Sequence, residues 1–79
     1  MHRVAVELPT QAVEELDLPA DELAREMCIA AAICWYGRSE LSQQQAANVA
    51  GLSRTDFLRA CERAGVNVFQ PDTSEAIAI

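Results

Sequence analysis

The chain has 79 residues, 51% of them apolar, and sets six arginines and no lysine against twelve acids for a net charge of −6. This is enough chain for one core only, and a fold this short hides about 60% of its unfolded surface, so one domain completed by homodimerisation is expected. The negative sum excludes a protein that coats nucleic acid or membrane by bulk attraction, and the lone His2 with three dispersed cysteines (Cys28, Cys34, Cys61) excludes a CxxC-type zinc site.

Charge is uneven along the chain. Residues 1–41 carry three arginines against eight acids and residues 66–79 carry two acids, whereas residues 42–65 carry three arginines against two acids. That interior segment is the candidate for contact with phosphate. The densest apolar run, Met27 to Tyr36, is about half of a bilayer span, and the start has no basic region followed by a long apolar run. A reduced, cytoplasmic, non-membrane protein is expected, with Cys28 and Cys34 acting as small buried apolar groups.

In chain order, Val4-Ala5-Val6-Glu7-Leu8 alternates and stops at Pro9, the pattern of a β-strand with one buried face. Its partner is either Gly65-Val66-Asn67-Val68-Phe69 or the same strand of a second protomer. Thr10 is placed to cap a short helix through Leu16, with Val13 and Leu16 inward, ended by Asp17-Leu18-Pro19. A long helix is predicted from Pro19 to Tyr36, with Pro19 at its first position, Asp21 and Glu22 at its positive end and Gly37 as its C-terminal cap. Its second half is apolar almost all round, which suits either a central core helix or a subunit interface. Val4, Val6 and Leu8 of the strand and Ile29, Ile33 and Trp35 of this helix are the expected dimer contacts.

Ser42 with Gln45 and Ser53 with Asp56 are two N-cap pairs eleven residues apart, with Gly51 between them. Two short helices joined by a glycine turn follow. Ala46, Ala47, Ala50, Leu52, Phe57 and Ala60 occupy the inner positions of a helix-turn-helix, while Arg54, Thr55, Leu58, Arg59, Glu62 and Arg63 fall outward. Arg54 lies at the start of the second helix, and Arg59 and Arg63 are one turn apart, so Ser53, Arg54, Thr55, Arg59 and Arg63 are the candidate contacts to double-stranded DNA. A solvated face or a protein-binding hairpin is the alternative, because Asp56 and Glu62 share the segment.

No nucleophile has a base in plausible context, no glycine-rich phosphate loop exists, and Glu14-Glu15 and Asp21-Glu22 sit where helix dipoles explain them. Catalysis, a cofactor, a metal and a small-molecule substrate are not expected. The expected fold is mainly α: an N-terminal β-strand followed by a helical bundle containing a helix-turn-helix, as one domain over residues 1–69 with a short flexible tail at 70–79.

The VAVELP strand, the LPADELAREM helix start, Trp35-Tyr36-Gly37-Arg38 and LSQQQAANVAGLSRTDFLRACERAGVNV together resemble a family of small prokaryotic proteins catalogued as an uncharacterised (UPF-series) family. The most specific parts are Leu41-Ser42, Ala46-Ala47, Ala50-Gly51-Leu52-Ser53 and Gly65-Val66. Members are encoded beside PIN-domain-like toxin ribonucleases and are regarded as type II antitoxins. The resemblance implies a dimeric antitoxin and DNA-binding autorepressor whose partners are its operator and an adjacent toxin. A stand-alone helix-turn-helix regulator and a helical adaptor without DNA binding are the alternatives.

The opening is also similar to that of ribbon-helix-helix antitoxins, but here Arg3, Ala5 and Glu7 would face the groove, and Glu7 repels phosphate. The strand is therefore read as a dimerisation device. Pro71 to Ile79 is shorter than the acidic extension common in the family; it suits either a frayed end or a segment that orders on a partner.

Overall fold

The computed structural model describes residues 2–66, which form four helices: α1 (Thr10–Leu16), α2 (Ala20–Gly37), α3 (Gln43–Ala50) and α4 (Arg54–Arg63). Each boundary has a local cause. The Ser42 hydroxyl accepts from the Gln45 amide at 3.1 Å and the Ser53 hydroxyl from the Asp56 amide at 3.1 Å, so both predicted caps form. Gly51 ends α3 in the left-handed region at φ 71°, donating to the Ala47 and Asn48 carbonyls, a turn that costs glycine no steric strain.

Three helix ends differ from expectation. α1 begins at Thr10 itself, with Pro9 as the extended residue before it and no side-chain cap, because Pro9 already supplies the required φ of −60°. Likewise Pro19 precedes α2 instead of opening it. Gly37 remains helical, and the left-handed residue that closes α2 is Ser39, at φ 62°.

The core lies among α2, α3 and α4. Ala32 and Tyr36 of α2, Ala46, Ala47 and Ala50 of α3, and Phe57 and Cys61 of α4 are buried together, with Ile29, Ile33, Leu41, Leu52, Leu58 and Val66 packed around them. Three alanines on α3 let the neighbouring helices approach closely, and the space beyond is filled by Tyr36 against Phe57, edge to face with ring centroids 5.5 Å apart. Cys61, one turn after Phe57, completes the inner stripe.

The expected N-terminal strand is not formed. Residues 2–9 carry no strand assignment and every one of them is exposed, since a ladder needs a second strand and none exists among the described residues. Of the proposed partner run, Val66 turns its N–H back to the Cys61 carbonyl at 2.9 Å, while residues 67–69 lie outside the described residues, as does the tail at 70–79. The helix α1 touches none of the other three helices and buries no residue.

Candidate nucleic-acid interface

Helices α3 and α4 are held by the buried faces described above, which fixes what α4 turns outward. At about 100° per residue, Thr55, Arg59 and Arg63 lie within about 80° of one another on the side opposite Phe57 and Cys61, and all three are exposed. Glu62 and Asp56 flank this stripe. The Asp56 carboxylate lies 3.8 Å from Arg59 across one turn, with both side chains largely in solvent, so the pair trims the local negative charge without fixing either group. Arg63 has no carboxylate partner among the described residues.

Arg54 takes a different course. It stands about 140° around the helix from Arg59, and its Nε and Nη2 both donate to the Gln43 Oε1 at the start of α3, the Nε at 3.0 Å. Gln43 in turn donates from Nε2 to the Tyr36 hydroxyl at 3.4 Å. Ser53 uses its hydroxyl on the helix cap, which gives it a structural role whatever else it touches.

The inner and outer assignments of this segment hold with one correction, and a second correction falls on α2. Leu58, expected outward, is half-buried against the core, because it stands only about 60° around α4 from the enclosed Cys61. Cys28 and Cys34, expected buried, are exposed, and Cys61 is the enclosed cysteine, its thiol pushed above the ordinary value by burial. Its i+4 spacing from Phe57 was the available signal. Gln43 was also missed; each of Gln43 and Arg54 follows its serine cap by one residue, so the two helices begin in phase.

The expected dimer contacts divide. Val4, Val6 and Leu8 are 80%, 60% and 39% exposed and Trp35 is 38% exposed. Ile29 and Ile33 pack partly against the core, and their remaining surface lines a shallow open groove with Glu26, Ala30 and Ala64. The acids Glu14, Glu15, Asp17, Asp21, Glu22 and Glu26 are all exposed.

Among the described residues, no three His, Cys, Asp or Glu side chains gather as a metal site, and no helix is long and apolar enough to cross a membrane. Comparison with curated proteins and with solved structures gives no match. A family model described as Uncharacterised protein family (UPF0175) matches residues 1–78, nearly the whole chain. The protein therefore belongs to this uncharacterised family, UPF0175.

Proposed function

We propose that this protein is a dimeric, cytoplasmic type II antitoxin and autorepressor, which binds its operator through α3 and α4 as a helix-turn-helix and neutralises a PIN-like toxin ribonuclease encoded beside it. The observation that carries the DNA-binding part is the exposed Thr55, Arg59 and Arg63 stripe on a helix whose opposite face is locked into the core. A capped helix start with Arg54 beside it is the end that enters a major groove. Phosphate contact by the three arginines that a net-acidic chain gathers on α4 gives positioned binding instead of bulk adsorption.

Dimerisation is supported by the exposed Val4, Val6 and Leu8 on an arm that meets no partner strand among the described residues; an antiparallel ribbon with a second copy would bury them. The antitoxin part follows from the resemblance set out above, and the exposed acids of α1 and α2 support it by offering a basic nuclease a surface that steers association.

Two measurements test this reading. Operator binding should weaken with salt at a log-log slope of about −5 for roughly six arginines per dimer, and Arg59→Ala should flatten that slope by up to about 2. Co-expression should rescue cells from the adjacent gene's product, and deletion of residues 71–79 should weaken rescue while sparing operator binding. Binding without any toxicity from that gene favours a stand-alone regulator. Rescue without DNA binding favours a protein-binding adaptor.

A further inference from the structure

We infer that Gln43 is a positioning residue for sequence discrimination: it holds Arg54 by one edge of the guanidinium so that the other edge stands open to fork onto a guanine. The inference rests on the reading of α3 and α4 as a DNA-binding pair and adds a specific residue, outside α4, to how that pair selects its site.

A guanidinium carries five N–H donors in a rigid plane. The Nε and one Nη2 hydrogen lie along its side edge, and both are taken by the single Gln43 Oε1. Both Nη1 hydrogens and the second Nη2 hydrogen remain, and the Nη1–Nη2 pair forms the end edge, whose spacing matches the O6 and N7 acceptors of guanine. Gln43 therefore does not compete with the base; it removes the rotations that Arg54 would otherwise lose on binding.

The tether is itself anchored. Gln43 is half-buried at the first residue of α3, behind the Ser42 cap. Its Nε2 donates to the Tyr36 hydroxyl while Arg54, which can only donate, takes the Oε1 end, so the two ends of the amide are shared between core and arginine. Tyr36 is 1% exposed and packed edge-on against Phe57, which ties Gln43 to the buried core.

The test uses the full chain and a pool of duplexes with a randomised central segment, from which the wild type selects its preferred sequence. Three variants are compared on the selected duplex, on duplexes substituted base by base and on a random duplex. Arg54→Ala locates the guanine. Gln43→Met, which keeps the length but loses the acceptor, should cut discrimination at that base by about five- to tenfold, within the range one bidentate contact provides. Its affinity for random duplex and its salt slope should stay at wild-type values. Gln43→Glu restores an acceptor for both hydrogens and should restore discrimination, at lower affinity for every duplex. Tyr36→Phe, which keeps the packed ring, should cut discrimination about twofold and covers the case in which Gln43→Met unfolds.

Loss of discrimination in Arg54→Ala with full discrimination in both Gln43→Met and Tyr36→Phe overturns the inference and leaves the DNA-binding reading intact. Failure of the wild type to enrich any duplex overturns both.

Discussion

Residues 29–66 bury Ala32, Tyr36, Ala46, Ala47, Ala50, Phe57 and Cys61 in one cluster, whereas residues 2–18 contain no buried residue and leave Val4, Val6, Leu8 and Leu16 in solvent. Both segments have regular local patterns, a capped helix pair in one and an alternating run with a short helix in the other. The difference is the availability of a partner among the described residues. The α3 helix brings small residues against both neighbours, so hydrophobic burial and hydrogen bonding reinforce one another. Among the described residues the arm makes only local hydrogen bonds, and a seven-residue helix is marginal without tertiary packing. Under the proposed dimer, a second copy would supply the partner that the arm lacks among the described residues.

The comparison is sharpest at Phe57. Its ring is fully enclosed, so Phe57→Ala should destabilise the chain by about 3–5 kcal/mol, a large share of the total stability of a small domain. Chemical denaturation followed by circular dichroism measures it; a loss under about 1 kcal/mol would mean that the α2–α4 core is not what holds the fold.

At the other end of the chain, Val6→Asp alters a side chain 60% exposed in the protomer. It should leave protomer helicity unchanged yet dissociate a dimer built on the arm, since an unpaired carboxylate buried in that interface costs a few kcal/mol, about 2–3. Sedimentation over a concentration series reads this directly. A wild-type monomer at micromolar concentration with full helicity would remove the arm's assigned role.

Gly51 separates strain from crowding. A Cβ built there meets no atom within 4 Å, but φ is +71°, so Gly51→Ala should cost about 1–2 kcal/mol through backbone strain alone. Gly51→Asn, which tolerates this region better, should cost less. A smaller effect, about 1 kcal/mol, is expected for Ser53→Ala from loss of the helix cap; thermal melts rank these against Phe57→Ala.

The smallest effect is on pH dependence. Burial raises the Cys61 thiol above its ordinary value, so the folded chain keeps a proton that the unfolded chain releases. The associated stability is fully present below the unfolded thiol value, about pH 8.5, and is lost as pH rises through the folded value. Timed alkylation should label Cys28 and Cys34 first and Cys61 only as the core opens. Equal rates for all three would place Cys61 outside the core.

The helix pair was readable because its determinants are local. Ser42 and Ser53 find their acceptor role three residues on, and Gly51 needs only its own φ, so spacing along the chain encodes both. The inner face of α3 and α4 followed from the same periodicity, since Ala46, Ala50 and Phe57 recur at helical spacing. By contrast, α2 is apolar on several sides, and periodicity could not say which side would be covered; Cys28 and Cys34 were misplaced for that reason.

The sequence by itself determined that this is a mainly helical chain, with a tight glycine turn between two serine-capped helices and arginines carried outward on the second. Only the tertiary structure decided that Cys61 is the enclosed thiol, that residues 2–9 pair with no strand among the described residues, and that Arg54 is tied to Gln43 while Arg59 and Arg63 face solvent. The physical reason is one of range. Caps and turns are contacts within four residues, but Gln43 with Arg54 and Tyr36 with Phe57 meet across eleven and twenty-one residues, and a strand exists only when another strand pairs with it.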